Sequence, residues 1–202
     1  MAEHPIICTG NSVRGNLDGR KTQTRRVIVP QPVVFDRAGQ PDYASLTDPK
    51  KKWQVGDTLW AKEDYKYIIQ GEMVLTYYKY SIDKNRVEYT PLNCLSEITR
   101  KKLNKAKQDV WKSKLLMFKF MARIFLEILG LRCEKVQDIS WEDIIAEGCD
   151  VNKPTGDPAI DDFTAGVEAI DTFHWLWDSI NAKRGYGWSK NPFCWVIEFR
   201  NI

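Results

Sequence analysis

The stretch LMFKFMARIFLEILGLRCEKV, residues 116–136, decides the class of fold. It is apolar enough for a buried helix or a buried strand. Ile124, Leu126 and Ile128 alternate with Phe125, Glu127 and Leu129, and a period of two predicts a strand over its second half. Working outward, DISWEDIIAEGC (138–149) carries a helix start. Ser140 caps it, Asp143 stands three positions later as in a capping box, Ile144 and Ile145 give the buried side, and Gly148 ends it. A second amphipathic helix follows in DPAIDDFTAGVEAIDTFHWLWDSIN (157–181), with Phe173, Leu176, Trp177 and Ile180 at helical spacing. KRGYGWSKNP (183–192) reads as a turn-rich loop and FCWVIEFRNI (193–202) as a final strand.

Upstream, PIICTG opens with a short strand. Val13 and Leu17 share one face of a short helix that Gly19 stops. Residues 36–52, rich in Pro, Gly, Asp and Lys, predict a surface loop. WQVGDTLWAKEDYKYI (53–68) gives a turn at Gly56-Asp57 and a strand with Leu59 and Ala61 on one face, Trp60 and Lys62 on the other. MVLTYYKYS (73–81) is strand by its β-branched and aromatic content, and residues 97–115 are helical or loop. Strands mixed with a few helices make the chain α+β, and their order predicts a small barrel or curled sheet. The 202 residues fit one domain.

Composition narrows the functional classes. Apolar residues make up 43% and charged residues 28%, as in a soluble globular protein, and no apolar run approaches the ~20 residues that span a bilayer. The start, MAEHPIICTG, has no leader pattern, so a cytoplasmic protein is expected. The five cysteines are scattered without a C-x-x-C pair, which argues against a disulfide framework or a zinc knuckle. Only two histidines, His4 and His174, leave little material for a metal site or a His-based triad. Nine Lys/Arg face two acids between Glu97 and Arg123, whereas twelve acids face two lysines between Glu134 and Asp178. That asymmetry suggests one positive face suited to nucleic acid, or a solvated basic helix.

NLDGRKTQTRRVIVPQP (16–32) concentrates Arg20, Lys21, Thr22, Thr24, Arg25 and Arg26 after the glycine stop, which places them on an exposed turn. A threonine hydroxyl attacks only if a nearby base takes its proton, and a lysine serves as that base only when neutral. Arg20, Arg25 and Arg26 favour the neutral amine by like-charge repulsion. On spacing alone, an anion-binding basic turn and a catalytic Lys-x-x-Thr both stand.

Six motifs in order (GRKTQTRR at 19–26, VGDTLWAKEDY at 55–65, WKS at 111–113, ARIFLEI at 122–128, VQDISWEDIIAEG at 136–148 and WDSINAKRGYGWSKNPFCWVIEF at 177–199) resemble the ASCH domain family, in the longer form common in tailed phages and prophages. The resemblance implies a PUA-like fold, a small open β-barrel flanked by helices, here with insertions at 36–52 and 65–110. It also implies a role in RNA or nucleotide metabolism. A smaller member of the family is an amidohydrolase that removes acetyl from the exocyclic amine of acetylcytidine with a Lys, a Thr and a Glu. These match Lys21, Thr24 and Glu147. Thr24 would attack, Lys21 accept its proton and Glu147 orient Lys21 and assist departure of the amine, with peptide N–H groups of residues 19–24 around the oxyanion. No metal or organic cofactor is implied.

The expected nucleoside or nucleic-acid contacts are Arg20, Arg25, Arg26, Trp60, Glu63, Asn181, Arg184, Tyr186 and Trp188, an aromatic face for stacking beside polar groups that read a base edge. Core packing is the competing reading for the tryptophans. A module that binds RNA or a modified base without cleaving it is the competing reading for the whole chain.

Overall fold

The computed structural model describes residues 1–32, 53–81, 83, 86–149 and 158–202, with the backbone alone over 158–167. The predicted loop at 36–52 lies outside the described residues. Residues 116–136 divide as their pattern predicts: a 3-10 turn at Lys119–Met121 precedes strand β7 (Phe125–Lys135). β7 is the middle strand of a five-stranded sheet of order β1-β3-β7-β8-β2, built with β1 (Glu3–Ile7), β2 (Gln23–Val27), β3 (Thr58–Lys62) and β8 (Phe193–Asn201). The central place pairs both its edges, and its side chains alternate, with Leu126 and Ile128 buried and Leu129 exposed. β1 runs parallel to β3, and the remaining pairs are antiparallel.

Alternation along the strands divides the core. Leu59, Ala61, Leu126, Ile128 and Ile197 face one side with Ile6, Cys8 and Val13, the last on helix α1 (Gly10–Leu17). Thr9 caps α1 by accepting from the Ser12 amide at 3.3 Å, and Gly19 (φ 76°) follows its end. Cys194 and Val196 face the other side, against Ile144, Phe173 and Trp177. Those side chains come from the short helix after β7 and the long helix before β8. The expected helical pattern is only partly buried: Ile145 and Ile180 point outward.

A second, three-stranded antiparallel sheet of β4 (Tyr65–Gln70), β5 (Met73–Tyr78) and β6 (Val87–Pro91) is followed by helix α2 (Glu97–Lys105). Its core holds Tyr65, Tyr67, Val74, Tyr78, Leu103, Met117 and Met121. The three phenols donate to the carbonyls of Leu116, Leu103 and Met121 at 2.8–2.9 Å, satisfying the hydroxyls that burial would otherwise strand. Burial pushes the Tyr65 phenol up to about 12, with Tyr67 adding to it.

The chain is therefore α+β. The five-stranded sheet is not a closed barrel among the described residues: β1 and β2 stand at its two edges, and the Arg26 guanidinium on β2 reaches across to the Ile7 carbonyl at 2.8 Å. No described helix is long and apolar enough to cross a membrane.

Candidate active site

The basic run after Gly19 is exposed only at Arg20 and Thr22, not along its whole length. Residues 23–27 are β2, paired with β8, and Lys21, Gln23, Thr24 and Arg25 are all buried. The error has a physical cause. The charge of the run suggested solvent, but acids more than a hundred residues later compensate it.

Lys21 is 5% exposed, and its Nζ donates to the Glu147 carbonyl at 2.6 Å and to Glu147 Oε2 at 2.7 Å. Two local features place Glu147 there. Ser140 caps helix α3 (Trp141–Ala146), and Gly148, at φ 76°, turns the chain out of it. The Thr22 amide then donates to the Ala146 carbonyl at 2.9 Å and docks the start of β2 on the end of α3. The lysine stem runs between two glycines. A Cβ on Gly148 would lie 3.0 Å from Lys21 Cβ, and one on Gly15 would lie 3.1 Å from it.

Arg25 is withdrawn from the anion-binding role expected of it. Its guanidinium, 1% exposed, donates to Glu134 and, at 2.6 Å, to Asp143, and Glu147 Oε1 stands 3.6 Å from Nη1. Asp143 does not close a capping box; Arg25 and Arg132 hold its carboxylate at 2.6 and 2.7 Å. Burial acts to raise the Asp143 pKa, but those two guanidiniums outweigh it and hold the carboxyl below its ordinary range. For Arg25, burial favours the neutral form, and Glu147, Asp143 and Glu134 reverse that. Glu147 is thus shared by two cations, the amine of Lys21 and the guanidinium of Arg25.

Thr24 pairs with Ile197 in the β2–β8 ladder, so its side chain takes the sheet face that also carries Cys8, opposite that of Arg25. Among the described residues Thr24 Oγ1 makes no hydrogen bond, to Lys21 and Glu147 included. The expected oxyanion amides are already engaged. Gly19 N–H donates to Asn16 O, Arg20 N–H to Asp18 Oδ1, Lys21 N–H to Gly15 O and Thr22 N–H to Ala146 O. That part of the expectation is corrected.

The remaining expected contacts are dispersed. Arg20 is exposed and pairs with Asp18 at 2.8 Å. Trp60 is 9% exposed, with Lys62 Nζ 5.6 Å above its ring. Glu63, 1% exposed, is gripped by Arg123 through two 2.9 Å bonds, which makes it a satisfied core ion pair rather than a base reader. Asn181, Arg184, Tyr186 and Trp188 cluster at the far end of helix α4 (Pro158–Asn181). There Asn181 accepts from Arg184 at 3.2 Å and Tyr186 O accepts from Trp177 Nε1 at 2.8 Å. Trp188 is half-buried, stacked on His174 at 5.1 Å and edge-on to Phe173 at 6.1 Å. One face of its ring is taken by His174.

Sequence reading missed Asn16, Cys8, Glu134 and Arg132, and had Lys114 only as part of the basic segment before Arg123. Of the four missed, only Glu134 and Arg132 left a trace, an alternating pair on one face of β7. No three or more His, Cys, Asp or Glu side chains among the described residues gather as a metal site. No family model, no curated protein and no solved structure matches this chain.

Proposed function

We propose that the chain is an ASCH-type amidohydrolase acting on an N-acylated pyrimidine nucleoside or a related modified base, and that its open five-stranded sheet is a PUA-like barrel variant. What carries the reading is the buried Lys21–Glu147 pair, formed across 126 residues, with Lys21 three residues before Thr24. Thr24 Oγ adds to the acyl carbonyl. Its proton passes to Lys21 Nζ as Nζ releases one to Glu147 Oε2, which already accepts from it. Collapse of the adduct breaks the C–N bond, and the departing exocyclic amine takes the proton back. The acyl group, left as an ester on Thr24, is then transferred to water. The proposed role of Arg25 is to hold Glu147 in place from the opposite side. A rapid-quench experiment tests the scheme: acetylcytidine should yield a burst of cytidine matching the enzyme concentration, with an acetylated Thr24 peptide in the mass spectrum. A steady rate without that peptide removes the Thr24 step.

One observation favours a second reading, a module that binds a modified base without cleaving it. Lys21 Nζ already donates to two oxygens, as a structural ammonium does. Salt-sensitive nucleic-acid binding without turnover of any acyl nucleoside decides for it.

A further inference from the structure

Most buried or half-buried cations of the described residues face carboxylates. Lys21 has Glu147, Arg25 has three acids, Arg123 has Glu63, and Arg132 has Glu134, Asp143 and Glu198. Four half-buried cations depart from this pattern and donate to backbone carbonyls, among them Lys62 to Leu115 O at 2.7 Å and Lys112 to Lys107 O at 2.6 Å. Only the other two, Arg26 and Lys114, reach adjacent carbonyls. Both are half-buried, and each donates to a backbone carbonyl: Arg26 Nη2 to Ile7 O at 2.8 Å and Lys114 Nζ to Cys8 O at 2.9 Å. The two cationic heads therefore meet at consecutive residues where β1 ends. Arg26 Nε is buried there without a hydrogen-bond partner, and so is Asn16 Oδ1, on the side chain whose Nδ2 lies 3.9 Å from Cys8 Sγ.

The place adjoins Thr24, two positions from Arg26 on the same strand face. The electrostatics at Cys8 tie it to Lys21. Burial pushes the Cys8 thiol up and Glu63 adds to the rise, while Arg26, Lys21 and Lys114 act to bring it down, so the three cations act on one group. Two acids near the place already accept hydrogen bonds. Glu63 is held bidentately by Arg123, and Asp64 accepts the Lys114 backbone N–H at 3.2 Å. Two cations held apart from carboxylates by carbonyls, with a spare N–H beside them, suit an anion with several acceptor oxygens.

From these contacts we infer that Arg26 and Lys114 form a phosphate subsite, and that the ligand of the Lys21–Thr24 site is a phosphorylated nucleoside rather than a free one. The nucleoside part rests on the amidohydrolase reading above; the phosphate part rests on the two cations. The phosphate belongs either to a free nucleotide or to a nucleic-acid strand. An uncharged nucleoside leaves both cations with carbonyl partners alone.

The test is calorimetric titration of the full chain with cytidine, cytidine 5′-monophosphate and a short oligocytidylate, repeated for Arg26→Gln, Lys114→Gln and the double variant. The monophosphate or the strand should bind about tenfold or more tightly than cytidine, as one or two charge-assisted bonds imply. Each substitution should shrink the advantage, and the double variant should erase it while cytidine affinity stays unchanged. An advantage for the monophosphate identifies a free nucleotide, and one confined to the strand identifies a backbone phosphodiester. Equal affinities, no binding of either phosphorylated ligand, or an advantage that survives the double substitution overturns the subsite. Melting curves accompany each variant; should Arg26→Gln not fold, Lys114→Gln decides alone. Acetylcytidine turnover is followed in parallel. A phosphate advantage without turnover keeps the subsite and removes the reaction, whereas turnover without the advantage does the reverse.

Discussion

Lys21 Nζ reaches both the backbone carbonyl and the carboxylate of Glu147, at 2.6 and 2.7 Å, with both residues less than a tenth exposed. The bond joins the start of β2 to the end of α3, and Arg25 Nη1 flanks the same carboxylate at 3.6 Å. A buried pair of this kind contributes little beyond what its desolvation costs, but breaking it strands a charge. Lys21→Met or Glu147→Gln alone should therefore destabilise the chain by about 3–5 kcal/mol. The double variant should cost less than the sum. Urea unfolding of the three variants checks this, and strict additivity would show that the two groups do not interact.

The glycines around Lys21 predict a separate effect. Gly148 and Gly19 both hold φ 76°, but a Cβ on Gly148 would press on Lys21 Cβ at 3.0 Å whereas one on Gly19 meets nothing within 4 Å. Gly19→Ala should cost about 1–2 kcal/mol through backbone strain alone. Gly148→Ala should cost more and also displace Lys21, lowering turnover. Equal stability and equal turnover in the two variants would contradict this placement.

Much of the fold was legible because it follows from periodicity. The alternation at Ile124–Leu129 marked β7, and Ser140 and Gly148 bracketed α3. Side-chain placement was less legible where long-range charge compensation decides it. Nothing local to Arg25 tells that Glu134 and Asp143 will bury it, so it read as solvent-facing. Trp188 lies between two small residues and read as a loop tip, but His174 and Phe173 on α4 cover it. The closeness of Lys21 to Glu147 followed from the family resemblance, not from any spacing. Lys114 stood out only as one of the nine cations between Glu97 and Arg123, and nothing local to it tells of its bond to the Cys8 carbonyl across 106 residues.

The tryptophans now separate by packing. Trp177, 4% exposed and bonded through Nε1 to Tyr186 O, should cost about 3–5 kcal/mol when cut to Ala. Trp188→Ala should also destabilise, by about 2 kcal/mol given its half-burial, and should leave cytidine affinity unchanged. Melting curves beside titrations distinguish this from stacking on a ligand, which would weaken binding without lowering stability.

Acid should unfold the chain through two carboxylates. Backbone donation from Ala2 lowers the Asp57 pKa, burial opposes this, and Gln54 and His4 add to the lowering; Arg25 and Arg132 lower that of Asp143 against burial. Both folded values lie below the unfolded value near ~4, so the stability they add is complete above that pH and is lost as pH falls through the folded values. Stability measured by urea melts should stay level with respect to these groups down to about pH 5 and decline below about pH 4. Asp143→Asn should flatten the decline, and an unchanged slope would show that Asp143 is not part of it.

The amidohydrolase reading meets its most direct test in one assay, chromatographic detection of cytidine released from acetylcytidine by the purified chain. Release is expected, with rates lowered at least about a hundredfold in Lys21→Ala, Thr24→Ala and Glu147→Gln, as removal of a nucleophile or proton carrier implies. No release from the native chain, or release that survives Thr24→Ala undiminished, would contradict it.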